Sequence, residues 1–192
     1  MKKRILIISV FIAIIQILTL GSGDPRMETI PESLKLEWIP PRPADAISGS
    51  EFAGKTRGMT GMDRQAEAVT ELERGNIPDF LRELQPITVF HSVKGKPAVQ
   101  IVFWVMCDYV SIGCDSDFLR IPLTFVQAVD IARRFRCILP TRKMVDIIYE
   151  NAQCKLVPQP LPSGPAMRSS EFYLKHQAMI ETQRKTLGCS LG

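Results

Sequence analysis

Two cations and a threonine at the predicted start of a helix are the residues best suited to bind an anion. Thr141, Arg142 and Lys143 combine a hydroxyl, a guanidinium and an ammonium group. The first turn of a helix adds free backbone N–H groups and the positive end of the helix dipole. This arrangement predicts a site for a phosphate, sulfate or carboxylate group. The alternative is that both cations pair with acids of the protein itself, for which the candidates are Asp115, Asp117 and Asp146.

Three aspartates, Asp108, Asp115 and Asp117, lie around a predicted turn. Closely spaced carboxylates could bind calcium, and these three are the candidate metal ligands of the chain. The segment has neither the length nor the closing glutamate of an EF-hand loop, however. Aspartate also forms tight turns by accepting hydrogen bonds from nearby backbone. We therefore expect turn-forming aspartates and no metal site.

His176 is the candidate catalytic residue. It shares one face of a predicted helix with Phe172, Met179 and Gln183, which is equally typical of a core or interface position. A Cys–His nucleophile pair needs surroundings that the spacing of the cysteines and histidines does not show. No cofactor is expected.

Five cysteines provide for disulfide bonds in an oxidising compartment. Cys107 and Cys114 would face each other if the segment between them folds as a hairpin, so they are the candidate bridge. The alternative is that several cysteines are buried as small apolar side chains. Their spacing shows no zinc pattern.

The segment Gly49–Thr56 matches the phosphate-loop pattern G-x-x-x-x-G-K-[ST] letter for letter. That loop binds phosphate only where a strand leads into it and a helix continues directly from the lysine. Here a proline-rich stretch precedes the match, and residues 57–61, RGMTG, are a poor helix start. We interpret the match as chance and expect no nucleotide.

Composition and the N-terminus limit the class of protein. The 192 residues are 45% hydrophobic and 23% charged, which is enough for one domain with a real core. The net charge of +4 is too small and too dispersed for a nucleic-acid-binding surface. Residues 1–23 are typical of a signal peptide, with Lys2, Lys3 and Arg4 before the apolar run 5–20. We expect an exported protein, periplasmic or extracellular, that contacts a membrane only if this segment stays uncleaved.

The hydrophobic pattern predicts an α+β fold. Strand-forming residues with a turn near Gly113 predict a small antiparallel sheet over about 87–123. Two amphipathic helices within 124–153 are expected to pack over that sheet as a hairpin. Two shorter N-terminal helices, at 62–74 and 78–84, should precede the sheet. The predicted organisation is a signal peptide at 1–23, a proline-rich extended arm at 24–50, an α+β domain at 51–156, a proline-rich connector at 157–169, and a C-terminal helix and tail at 170–192.

Five pieces of the chain carry a resemblance to known proteins. They are Gly49–Ala53, Gly75–Arg82, Asp108–Tyr109 with Ile112–Gly113 and Asp115–Phe118, Leu139–Asp146, and His176 with Gln183–Arg184. Together they resemble a family of uncharacterised exported bacterial proteins, which has no established activity. The resemblance implies variation at Gly54 and Lys55. It also implies a continuation past Leu187 into a second half with histidines, so this chain is expected to lack the family's C-terminal part.

The function predicted from the sequence is that of an exported cell-envelope protein. It would bind a partner protein or an anionic, cell-wall-type ligand, or be a catalytically incomplete member of the family. The alternative is a hydrolase of envelope polymers that uses His176 with nearby acids, or groups in the missing C-terminal part. That alternative requires His176 in an open cleft with a carboxylate or thiol within hydrogen-bond reach. No nucleic-acid partner is expected.

Overall fold

The protein has an α+β fold, as the hydrophobic pattern predicted. The computed structural model describes residues 12–19, 30–92, 94–96 and 98–191. The strands are β1 (Ile12–Thr19), β2 (Leu34–Lys35), β3 (Glu83–His91), β4 (Val99–Val105), β5 (Ser111–Cys114) and β6 (Asp117–Arg120). The helices are α1 (Gly49–Lys55), α2 (Gly61–Glu73), α3 (Phe125–Arg134), α4 (Arg142–Asn151) and α5 (Ser170–Leu187), and two 3₁₀ turns cover Asp79–Arg82 and Pro165–Arg168.

The larger sheet is antiparallel, in the order β1-β4-β3-β2. β3 pairs with the whole of β4, from Gln85 opposite Val105 to His91 opposite Val99. β1 falls within the predicted signal segment and pairs with the other edge of β4, while the remainder of 1–23 lies outside the described residues. Cleavage of the segment stays a prediction. No helix in the described ranges is long and apolar enough to cross a bilayer.

The larger sheet buries apolar side chains on both faces. Because side chains alternate along a strand, Val102 and Trp104 contribute to the main core. Phe103 and Val105 belong to a second, smaller cluster on the opposite face. The largest fully buried side chains, all in the main core, are Phe52, Leu36, Leu72, Ile77, Leu81, Leu84, Ile112, Leu119, Ile121 and Ile131.

The two helices after the sheet divide between these clusters. α3 buries Ala128 and Ile131 in the main core, whereas α4 packs Met144, Ile147 and Ile148 against the smaller cluster. The prediction that these two helices cover the sheet together, as a hairpin, is therefore corrected. A sheet that is apolar on both faces needs cover on both sides, and each helix contributes to a different side.

β5 and β6 form a separate hairpin and do not extend the larger sheet. The predicted turn is present, with Cys114 opposite Asp117, but the single sheet predicted over 87–123 is two sheets. Residues 106–110 connect them without strand structure. Cys107 lies in this connection, outside the hairpin, and neither it nor Cys114 forms a disulfide. The predicted Cys107–Cys114 bridge is wrong because the two residues do not face each other across a pair of strands.

Cys154 and Cys189 form the disulfide bond of the described chain, with their Cα atoms 5.9 Å apart. The bond ties the segment after α4 to the C-terminal end of α5. Gln183 adds a second tie, because its side-chain amide exchanges hydrogen bonds with the N–H and carbonyl of Val157 at 2.8 and 3.1 Å. The proline-rich connector is thus held at its start against α5.

We expect the unfolded, non-reduced chain to react with iodoacetamide at three cysteines and the reduced chain at all five. Cys137 is buried, and burial raises the pKa of its thiol to about 12, so it should react only after unfolding. Mass spectrometry of the alkylated protein, with peptide mapping, makes the measurement. The disulfide assignment would be overturned if Cys107 and Cys114, and not Cys154 and Cys189, stayed unalkylated in the unfolded, non-reduced chain.

The proline-rich arm is fixed to the main core. Ile39 is buried, and the Trp38 indole N–H donates to the Phe135 carbonyl at 2.6 Å. Gly75 permits this path, because a Cβ there would lie 2.1 Å from the Pro40 carbonyl oxygen. The arm therefore depends on a glycine at the end of α2.

Candidate functional site

The β5–β6 hairpin joins pieces of the chain that are far apart in sequence. Asp117 accepts hydrogen bonds from the N–H of Ser50 at 2.9 Å and from its hydroxyl at 2.5 Å, at the start of α1. Asp115 accepts from the N–H of Asp79 at 2.7 Å, at the start of a 3₁₀ turn. Burial opposes the charge on Asp117, but the hydrogen bonds from Ser50 and Ser48 outweigh it and lower the pKa of this carboxyl. The two aspartates fix helical segments to the hairpin.

Asp108, the third candidate metal ligand, pairs with Arg120. Its two carboxylate oxygens accept from Nε at 3.0 Å and from Nη2 at 2.5 Å, a two-point contact that is among the stronger kinds of ion pair. The candidate metal site at Asp108, Asp115 and Asp117 is therefore not assembled, since each carboxylate is engaged elsewhere. The described part of the chain contains no group of three metal-binding side chains.

A buried charged network surrounds Arg120, whose side chain is 5% exposed. Its Nη1 donates to Gln177 Oε1 at 3.0 Å and to Glu181 Oε1 at 2.8 Å, both on α5. The Phe118 ring centroid lies 5.0 Å from its Cζ. Burial opposes the guanidinium charge, but hydrogen bonds and charges from Asp108 and Glu181 outweigh it and raise the pKa of Arg120. We call Arg120, Asp108, Gln177 and Glu181 the Arg120 network, which attaches α5 to the hairpin.

His176 lies next to this network on α5 and is exposed. Partial burial and the positive charge of Arg120 lower its pKa, so the neutral imidazole is favoured at pH 7. Within the described chain, no carboxylate or thiol forms a hydrogen bond with His176. The carboxylate or thiol that the catalytic hypothesis requires beside His176 is therefore not found among the described residues.

The predicted anion site lies at the start of α4. Thr141 caps the helix by accepting from the Met144 N–H at 3.4 Å. Arg142 and Lys143 are exposed, and neither forms an ion pair with any residue that the structure describes. The alternative of pairing with internal acids is thus not realised in this part of the protein.

The segment that matches the phosphate-loop pattern lacks the geometry of that loop. Gly49–Lys55 is itself the helix α1, whereas a phosphate loop precedes its helix. Lys55 lies in the last turn and pairs with Glu67. Thr56 is buried, with its hydroxyl on the Phe52 carbonyl at 2.9 Å. This geometry agrees with the interpretation of the match as chance.

A cleft of about 440 Å³ opens between the turn that follows α1 and the start of α5. Two helices begin at its walls, because Gly61 is the first residue of α2 and Ser169 caps α5. The positive ends of both helix dipoles therefore reach the cleft. We call it the arginine cleft. Its lining residues are Arg57, Gly58, Met59, Gly61, Arg64, Pro165, Arg168, Ser169 and Glu171.

Arg64 is the buried member of the arginine cleft and is 3% exposed. Its guanidinium donates to Ser170 Oγ at 2.9 Å, to the carbonyls of Met59 and Thr56 at 2.8 and 3.2 Å, and to the carbonyl of Arg168. All four acceptors are neutral, and no carboxylate among the described residues lies within ion-pair distance. Since a guanidinium has five N–H donors, one on Nη1 has no described partner. Its Cζ also lies 5.8 Å from the centroid of the Tyr173 ring, a weak cation–π contact. Buried charges in proteins are normally paired with an opposite charge, so Arg64 leaves positive charge without a counter-ion at the cleft wall.

The other two arginines of the cleft are exposed. Arg57 Nε pairs with Glu171 Oε1 at 3.2 Å, with side chains 68% and 56% exposed. Arg168 forms no ion pair within the described ranges. Its side chain lies over Gly61, where a Cβ would come within 3.2 Å of Arg168 Cδ. With three guanidiniums against one carboxylate, the cleft has an excess of two positive charges.

The arginine cleft is not predictable from the sequence alone. Arg64 and Arg168 are separated by 104 residues, and only the packing of the start of α5 against the α1–α2 turn brings them together. The local signals are Thr60 and Ser169, the hydroxyl residues that cap the two helices. They mark where each helix begins but not that the two starts meet.

Comparison with known proteins leaves the chain without a demonstrated relative. No protein-family model matches it, and no curated protein or solved structure is significantly similar to it. The resemblance to exported bacterial proteins therefore stays a prediction. The function has to be argued from the geometry of the site.

Proposed function

We propose that the protein is an exported envelope protein that binds an anionic ligand in the arginine cleft. The observation that carries this proposal is the burial of Arg64 without a carboxylate partner in the described chain, beside two further arginines. A guanidinium that is largely removed from water attracts an anion more strongly than an exposed one, because the local dielectric constant is lower. An anion in the cleft supplies the counter-charge that the described residues do not.

Export is proposed from the pattern of residues 1–23 and from the resemblance to exported bacterial proteins. The Cys154–Cys189 disulfide is compatible with an oxidising compartment. Membership of that family and a periplasmic or extracellular location are parts of this proposal.

Binding is favoured over hydrolysis of envelope polymers by the surroundings of His176. A catalytic histidine needs an acid or a thiol to orient or activate it, and no such hydrogen bond occurs among the described residues. Asp108 and Glu181, the two acids of the Arg120 network, are engaged by Arg120 at 2.5 and 2.8 Å.

The double substitution Arg57→Gln/Arg168→Gln is expected to weaken anion binding about tenfold or more, because each charge-assisted hydrogen bond contributes about 1.5–3 kcal/mol. Both side chains are exposed, so the fold should be retained. Isothermal titration calorimetry of the full chain with inorganic phosphate and pyrophosphate measures the effect.

The matched control is Arg142→Gln/Lys143→Gln, which removes the same charge at the start of α4. Wild-type affinity in this control, with weaker binding in the cleft variant, supports the proposal. Equal losses in both variants would indicate non-specific attraction by net charge and would overturn it. A loss confined to the control would move the anion site to Thr141, Arg142 and Lys143.

A further inference from the structure

We infer that the ligand of the arginine cleft carries a dianionic phosphate group, and that Glu171 holds Arg57 until this ligand displaces the glutamate. The inference rests on the proposed function, since it assigns the ligand class and the internal competitor of the same cleft. Four side chains carry it: Arg57, Arg64, Arg168 and Glu171.

The charge balance of the cleft matches a doubly charged phosphate group. Three guanidiniums and one carboxylate line it, which leaves two positive charges. A phosphate monoester carries a charge of about −1.5 to −2 at pH 7, whereas phosphodiesters, sulfate esters and carboxylates carry a single negative charge. The planar guanidinium fork also matches pairs of phosphate oxygens. Phosphate monoesters and free phosphate both carry such a doubly charged group, so both match the charge of the cleft.

Arg64 gives the cleft a fixed positive centre. The carbonyls of Thr56 and Met59 hold its guanidinium from one wall, and Ser170 Oγ and the Arg168 carbonyl hold it from the other. A guanidinium held in this way loses little conformational freedom when an anion binds. Its remaining Nη1–H has no acceptor among the described residues, and the exposed side chains of the other two arginines can adjust around a ligand.

Glu171 lies at a position of the cleft where negative charge is stabilised. It lies in the first turn of α5, where the helix dipole attracts an anion, and it pairs with Arg57 at 3.2 Å. An ion pair this exposed is weak, because water screens the two charges and both side chains lose freedom when they pair. A dianion that contacts several guanidiniums can therefore replace it. Until then Glu171 neutralises part of the charge of the cleft and lowers its affinity for anions.

Replacing Glu171 by glutamine is expected to tighten the binding of methyl phosphate about two- to fivefold, the effect of removing one competing charge at an exposed site. The matched control is Glu150→Gln, because Glu150 is exposed on α4 and its loss changes the net charge equally. Calorimetry on the full chain at pH 7.5 and low salt compares both variants with the wild type.

The ligand class is tested with four small probes on the wild-type chain: methyl phosphate, inorganic phosphate, dimethyl phosphate and methyl sulfate. We expect the first two to bind at least about tenfold more tightly than the singly charged pair, because the second negative charge is attracted by guanidiniums at a partly buried site. Affinity for methyl phosphate should fall as pH drops through about 6, where its second ionisation is lost. Tighter binding of methyl phosphate than of inorganic phosphate identifies an ester as the natural source, and the reverse identifies free phosphate.

Equal affinity for methyl phosphate and methyl sulfate at pH 7.5 would overturn the ligand class. Equal effects of Glu171→Gln and Glu150→Gln would overturn the role of Glu171. In both cases weaker binding in Arg57→Gln/Arg168→Gln leaves the proposed function intact. If no anion binds the wild-type chain, the proposed function itself fails.

Discussion

Replacing Arg120 by methionine is expected to lower the free energy of unfolding by about 3 kcal/mol, the lower end of the cost of breaking a buried ion pair. The substitution leaves the carboxylate of Asp108 without its ionic partner, whereas Glu181 keeps its pair with Arg184 at 3.3 Å. The side chains of Asp108 and Glu181 are only 13% and 23% exposed, and both pair with Arg120. Methionine keeps an unbranched apolar side chain, so the variant mainly removes the charge and its hydrogen bonds. Urea-induced unfolding followed by tryptophan fluorescence gives the free energy.

Arg134→Met is the matched control for this experiment. Arg134 pairs with Glu73 at 2.9 Å, but the two side chains are 59% and 35% exposed, so its loss should cost less than about 1 kcal/mol. A double-mutant cycle between Arg120→Met and Asp108→Asn should give a coupling energy of about 1–3 kcal/mol. Equal unfolding midpoints for the two arginine variants would contradict a stabilising role of the Arg120 network.

Replacing Gly49 by alanine is expected to destabilise the protein by about 3 kcal/mol, at the upper end of the cost of overpacking a core. A Cβ at Gly49 would lie 2.4 Å from the carbonyl carbon of Phe118 and 2.5 Å from the nitrogen of Leu119. Both atoms are backbone of the β5–β6 hairpin, so no side-chain rotation relieves the contact. α1 must therefore move away from the hairpin, which also weakens the hydrogen bonds between Ser50 and Asp117.

Gly54→Ala, in the same helix, is the control for Gly49→Ala. A Cβ at Gly54 meets nothing within 4 Å, and alanine favours a helix over glycine by about 0.5–1 kcal/mol. The two variants should therefore shift the urea midpoint in opposite directions. A Gly49→Ala variant as stable as the wild type would show that α1 does not pack on the hairpin as closely as described.

Helix starts are the part of this fold that local sequence predicts well. α3, α4 and α5 begin where expected, because the hydroxyls of Thr124, Thr141 and Ser169 each accept a backbone N–H of the first turn. The amphipathic pattern of α3 predicts its buried face in part: Ala128, Ala132 and Phe135 lie in the main core, whereas Phe125, predicted on the same apolar face, is exposed.

α1 shows why some elements are missed. Seven residues are too few for a stable isolated helix, and two of them are glycines. The capping box of Ser48 and Glu51 is present, but the burial of Phe52 in the main core supplies the stability that this short helix lacks. Likewise, the helix predicted over 78–84 is a 3₁₀ turn at Asp79–Arg82, and β3 begins directly after it.

The candidate site shows the same division between local and long-range information. Caps, turn residues and hydrophobic periodicity act within a few residues, so the sequence alone determines the α+β class, the starts of α3, α4 and α5, and the turn between Cys114 and Asp117. The sequence alone does not determine which distant residues come into contact. The entropy cost of closing a loop grows only slowly with its length, so it does not single out one contact among many. The fold alone decides that Arg120 reaches Glu181 across 61 residues and that Arg64 reaches Arg168 across 104. The arginine cleft is therefore a product of packing, since its charges come together only when α5 docks on the α1–α2 turn.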